Sequence, residues 1–301
     1  MPRWNFTPIF LGLALGASVS GTSVPAEDGR APSPEERRAL VERVIADQHA
    51  NDAALDLYER IERRETRKGS GSSAPAQVQT ARVIPAGAGS DRIPLGPDGK
   101  PADPAAYTAE LRKLESALVW ASEPASREQR DALAKFAKRR KDRAELVDAV
   151  RDAFIYTWLG REERQGRILA KFQLDPNPKY KPTSRLTGVF SHVRGVVWVD
   201  ESAGQLARIE AEIAEDISFG GGLIAKVYKG GRFVMEQTEV TPGIWLPVFY
   251  DYNFDGRKFF FSMGVHERTT VSQYKRIGPP KEALAVIRAE LGNLKLPEAA
   301  R

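Results

Sequence analysis

The sequence predicts an α+β chain: a strongly curved, mostly antiparallel sheet of about nine strands, an open or half barrel wrapped on helices, with a helical and loop-rich region before it. Two observations carry this. From residue 154 the apolar period changes to two and, after a proline-rich link and a short crossover over 175–193 break it, the strand pattern resumes with short turn signals to residue 276. Upstream, three helix starts are marked by capping residues, and one opens a continuous leucine stripe. A third observation narrows the chemistry. There is no cysteine in 301 residues, which excludes a disulfide framework, a thiol nucleophile, cysteine-ligated zinc or iron–sulfur, and a lipid on a processed N-terminal cysteine.

The chain opens with one Arg and no acid in its first eight residues, then an apolar run over 9–19 and small residues to Ala26. The run is about 11 residues, too short to span a bilayer, which takes roughly 20. Val24-Pro25-Ala26 sets small residues before a cleavage point, so 1–26 reads as a secretory signal removed before Glu27. The mature chain is then expected to be soluble, in a periplasm or outside the cell.

Residues 27–150 form the helical and loop-rich region. Ser33-Pro34-Glu35-Glu36 supplies a capping hydroxyl, a proline at the first helical position and a returning carboxylate. That helix carries Leu40, Val44 and Gln48 on one side and is expected to end near Asn51-Asp52. Strands are expected over 57–68 and 78–84, a flexible Gly/Ser loop over 69–76, and turns throughout 87–104. Asp103-Pro104 starts a helix whose Tyr107, Leu111, Leu114 and Leu118 share one stripe, expected to cover the sheet. Ser126 with Gln129 caps the next helix, which continues through Leu133, Phe136, Leu146 and Val150.

The meander occupies 151–278. Phe154, Tyr156 and Trp158 alternate, as do Ile168, Ala170, Phe172 and Leu174 after a turn over 161–166. A proline-rich link over 175–182 and a short helical crossover over 184–193 precede strands at 196–200, 205–213, 223–229, 232–240, 244–252, 258–266 and 271–276. Gly230-Gly231, Pro242-Gly243 and Asp255-Gly256 read as the turns between them, and links this short require antiparallel neighbours. Residues 279–301 hold a last helix with Leu284, Ile287 and Leu291 inward, ended by Gly292.

The net charge of +5 is concentrated rather than spread. Residues 127–143 hold eight basic side chains against Glu128, Asp131 and Asp142. Lys138, Arg139, Arg140 and Lys141 form the peak, read as a solvated helix face or as a contact for anionic lipid headgroups or an acidic envelope protein. Nucleic acid is not expected as a partner. Asp251 to Gly256 matches the opening of a calcium loop, but Ser262 stands where the twelfth-position glutamate belongs, so a hairpin turn is the reading. Gly220, Gly221 and Gly222 lack phosphate-loop spacing and read as a bulge or bend. His49, His192 and His266 are far apart and Ser191-His192 would point to opposite strand faces, so no metal, cofactor or catalytic residue is assigned.

The sheet texture itself points further. Arg194 to Asp200 (RGVVWVD), Gln205 to Glu210 (QLARIE) and Gly243 to Pro247 (GIWLP) resemble the periplasmic LolA-like superfamily, which includes lipoprotein carriers, outer-membrane lipoprotein-sorting proteins and RseB-type sensor domains. The resemblance covers about residues 152–278 and implies an unclosed antiparallel barrel with an apolar cavity for acyl chains. The chain departs from the short carriers in its long region 27–150. The aromatic mass of the last strands reads first as core packing beneath helices and second as a concave apolar surface; on the second reading the expected ligand is a lipid or lipoprotein acyl chain, held by Phe233, Trp245, Phe249, Phe259, Phe261 and Met263. The second reading is a structural or sensor module that binds an envelope protein through its sheet edge or basic helix. An enzyme ranks third.

Overall fold

The computed structural model describes residues 30–67, 75–219, 224–259 and 261–294. The expected signal, most of the Gly/Ser loop and Gly220 to Gly222 lie outside them. In chain order the elements are helix α1 (Pro34–Leu55), strands β1 (Tyr58–Arg67), β2 (Gln77–Pro85) and β3 (Ser90–Leu95), helices α2 (Pro104–Ser122) and α3 (Arg127–Ala153), and strands β4 (Phe154–Arg164) and β5 (Arg167–Pro176). A 3-10 helix, Thr187–His192, leads to β6 (Val193–Asp200), β7 (Gln205–Ile213), β8 (Ile217–Phe219), β9 (Ala225–Val227), β10 (Arg232–Thr241), β11 (Ile244–Lys258), β12 (Phe261–Arg276) and helix α4 (Pro280–Leu294). The fold is α+β, and the strand pairs among the described residues whose register is resolved are antiparallel.

Local chemistry sets the element starts. The Ser33 hydroxyl accepts from Glu36 N–H while the Glu36 carboxylate accepts from Ser33 N–H, a reciprocal box opening α1. Ser126 and Gln129 do the same for α3, and the Asp103 carboxylate accepts from Ala105 and Ala106 N–H ahead of Pro104 in α2. Between β4 and β5 the turn is two residues, Gln165 and Gly166, both with positive φ, the hairpin geometry that matches strand twist.

The chain divides into two compact units, and the expected region 27–150 is shared between them. One unit comprises residues 51–64, 78–141 and 270–301. Its strands run in the order β3, β2, β1 and the end of β12. The α2 stripe does not cover the meander. Leu111, Leu114 and Leu118 are fully buried against Ile84 and Ile93 of β2 and β3 and against Ala283, Ile287 and Leu291 of α4. Strand β3 lies where only turns were expected. It is an edge strand, which tolerates Pro94, and only Ile93 of its six residues is fully buried, so it carries almost no periodic signal. α4 also continues past Gly292 to Leu294.

Two charge clusters tie this unit together. Arg82 donates to Glu59, Glu290 and the Tyr107 hydroxyl. Glu62, its side chain 8% exposed, pairs with Arg60 and Arg92, both at 2.9 Å. Burial pushes the Glu62 carboxyl up, but the two guanidinium groups outweigh it and hold its pKa below the ordinary value. A carboxylate depressed in the folded state contributes stability above its unfolded pKa and loses it as pH falls. Glu62→Gln is therefore expected to flatten part of the acid limb of a stability–pH curve, below about pH 5, while lowering stability at neutral pH. Urea unfolding across that range measures it.

The other unit comprises residues 30–50, 65–77 and 142–269. Strands β4, β5, β6 and β7 follow one another in space as in sequence. Their registers align three cross-strand rows on one face: Tyr156, Leu174, Gly195 and Ala211; Trp158, Phe172, Val197 and Ile209; Ala170, Val199 and Leu206. Glycine is required in the first row, because a Cβ at Gly195 would run into the Glu210 carbonyl. Leu40 and Val44 of α1 and Leu146 and Val150 of α3 pack over these rows.

Beyond β7 lies β10, joined by Gln237 donating to the Leu206 carbonyl and by the Arg208–Glu236 ion pair. β10 pairs with β11, and β11 with β9. Arg167 clamps this assembly: it donates to Asp200 at 2.9 Å and Glu239 at 2.7 Å, and its guanidinium lies 4.8 Å from the Trp245 ring centroid. Asp255-Gly256 is not a turn but part of a longer β11, and the two expected strands over 258–276 are one, β12. β8, three residues long, had no sequence signal.

Candidate functional site

Between α1 and the sheet face of the second-described unit lies an apolar cavity of about 140 Å³. Its roof is Leu40, Val41, Val44 and Ile45 of α1; its floor includes Phe172, Leu174, Val197 and Ala211, with Phe190 and Phe233 at the sides. The floor follows from the cross-strand rows, which bring Leu174, Phe172, Val197 and the small Ala211 onto one face.

The polar groups in the lining are engaged elsewhere. The Tyr156 hydroxyl donates to the Val150 carbonyl at 2.7 Å, and burial, reinforced by Asp152, drives its pKa far up, so it stays a neutral phenol. Arg37 donates to the Tyr156 carbonyl at 2.9 Å. Arg194 and Glu212, opposite each other on β6 and β7, form an ion pair at 3.8 Å and are partly in solvent, which places them at the rim. The space therefore presents hydrocarbon, with no nucleophile paired to a base. A second groove of about 310 Å³ includes Arg185, His192 and Ser218, and Val189 lines both spaces. Arg185 has no ion pair or hydrogen bond among the described residues.

Of the six residues expected to hold a ligand, Phe233 lines the cavity. Trp245 is 2% exposed and packs with Leu169, Trp198 and Ala207. Phe249 lies beside the Arg268 guanidinium, 5.9 Å from its ring. Phe259, Phe261 and Met263 are solvent-exposed at and after the β11–β12 turn. The basic peak is likewise exposed: Arg139 donates to the Ala88 carbonyl, Arg140 pairs with Asp56 at 3.4 Å, and Lys138 and Lys141 flank them. The calcium-loop match is a strand, with Asp251 paired to Arg268 and Asn253 and Asp255 facing His266. Among the described residues no group of three or more histidines and carboxylates is placed to hold a metal ion.

The lining that sequence reasoning missed comes from α1 and from β4 to β7. Its signal was the i, i+4 pair Leu40 and Val44 together with the alternation of 154, 156 and of 170, 172, 174.

No protein-family model matches the chain, and no curated protein matches it. Solved structures similar to it include a crystallised domain. That chain is a domain from Vibrio parahaemolyticus named for outer membrane lipoprotein sorting. The match covers 82% of this chain and 99% of that one, at 9% identity and a TM-score of 0.30.

Proposed function

We propose that the protein is an exported, periplasmic binding protein that shelters one hydrocarbon chain, of a lipid or a lipoprotein, under α1. The observation that carries this is the apolar cavity between α1 and the floor of Phe172, Leu174, Val197 and Ala211, whose polar neighbours are all turned to other partners. A dry cavity of about 150 Å³ accepts benzene, so the present space takes about six carbons. At about 0.8 kcal/mol per methylene that is about 5 kcal/mol gross, submillimolar affinity at best. A chain of about 12 carbons doubles the gross gain, about 10 kcal/mol, only by displacing α1 or by running past Val189 into the neighbouring groove. Arg185 stands there to meet an anionic end.

The test is uptake of a fluorescent fatty-acyl probe and its displacement by unlabelled chains of increasing length. Affinity is expected to rise from about six to twelve carbons. Val44→Phe, which fills the cavity from the roof, is expected to lower uptake about tenfold or more while the melting temperature stays within a few degrees of the parent. A folded protein that ignores the probe, or a Val44→Phe variant that binds it unchanged, overturns the reading.

A further inference from the structure

Phe261 is 77% exposed, more than any other large apolar side chain among the described residues. It does not stand alone. β11 and β9 pair so that Arg257 faces Lys226 and Lys258 faces Ala225, and Phe259 N–H donates to the Ile224 carbonyl at 2.9 Å. That bond sets Ile224 beside Phe259 at the tip, and Phe261 and Met263 begin β12 just after it, the four being 48%, 48%, 77% and 37% exposed. Phe261 and Met263, two apart on β12, share a strand face.

The chain bends at this tip on an aromatic residue. Phe259 has φ of 54°, a left-handed conformation disfavoured for any residue with a Cβ, where glycine or asparagine would make the turn with less strain. Segments 224–230 and 256–264 carry four basic residues and no acidic one. Lys226 is paired with Asp216 at 2.7 Å, whereas Arg257 donates to the Phe259 carbonyl and, among the described residues, pairs with no carboxylate.

We propose that this tip docks on an anionic lipid bilayer. Phe259, Phe261 and Met263 enter the boundary between headgroups and acyl chains, while Arg257 and Lys258 lie at the level of the phosphates. A bilayer fits better than a protein partner: the apolar groups crown a turn rather than line a groove, and the nearest carboxylates, Asp216 and Asp255, face Lys226 and His266, which leaves the tip's balance basic, the sign that anionic headgroups attract. The proposal is independent of what the cavity holds.

The absence of cysteine makes the test direct. Met263→Cys carries one polarity-sensitive dye on the same strand face as Phe261. With phosphatidylglycerol-rich vesicles its emission is expected to shift to the blue, and the shift to be lost with purely zwitterionic vesicles or at high salt. Phe261→Asp is expected to weaken co-flotation with the anionic vesicles about tenfold, and Arg257→Glu several-fold. Reversing the charges of Lys138 to Lys141 is expected to leave the dye response in place. Circular dichroism checks that the variants keep the parent fold, which an exposed position allows. Vesicle binding without a dye shift, or equal flotation of the parent and Phe261→Asp, overturns the proposal.

Discussion

Arg82→Ala is expected to lower stability by about 3 kcal/mol, the lower end of what removing one partner of a buried ion pair costs. Three groups lose their donor at once: Glu59, Glu290 and the Tyr107 hydroxyl. Arg82 is 13% exposed and Glu59 9%, so water replaces little of the lost interaction there, whereas Glu290 at 28% is partly solvated and Lys275 remains 3.7 Å from Glu59. Those two facts argue for the lower end. The Arg82 pKa is pushed further up: burial opposes its charge, but hydrogen bonds and attraction from Glu290 and Glu59 prevail, so the guanidinium stays charged at every accessible pH. Urea unfolding at neutral pH measures the loss, and Arg82→Lys should recover only part, since an ammonium cannot reach three acceptors in a guanidinium's plane.

What was legible in the sequence was the local chemistry. The caps of α1, α2 and α3 are short-range hydrogen bonds, and their residues announce them. The alternation that begins at Phe154 and the turn residues around Gly166 and Gly230 likewise need no distant partner. What failed depends on contacts far along the chain. Asp251 to Gly256 reads as a turn because its polar residues have no visible partner in sequence; in the fold Asp251 meets Arg268 and Asn253 meets His266, both across on β12. The α2 stripe was visible, but nothing local says that it packs on β2, β3 and α4. The site suffered most, because it is made by register. A roof supplied by α1 and a floor assembled from Phe172, Leu174, Val197 and Ala211 on three strands are both unreadable until the strands are aligned.

Trp245→Ala and Phe261→Ala separate two residues that look equivalent in sequence, both aromatic and both in the closing strands. Trp245 is 2% exposed, fills a cluster with Leu169, Trp198 and Ala207, and supports the Arg167 guanidinium that also holds Asp200 and Glu239. Truncating it empties a large volume that the surrounding strands can only partly close, so a loss of about 3–5 kcal/mol is expected. Phe261, 77% exposed, should move stability by no more than about 0.5 kcal/mol. The comparison matters for any acyl-binding assay. Weaker probe uptake by Trp245→Ala would report a softened sheet rather than a lost ligand contact, because that side chain does not line the cavity. Val44→Phe changes the cavity without removing packing, so a probe that discriminates it from the parent reports the hollow itself. If Trp245→Ala instead melted within a few degrees of the parent, the cluster around Leu169 and Trp198 would not be the brace between β5, β6 and β11 that its burial implies.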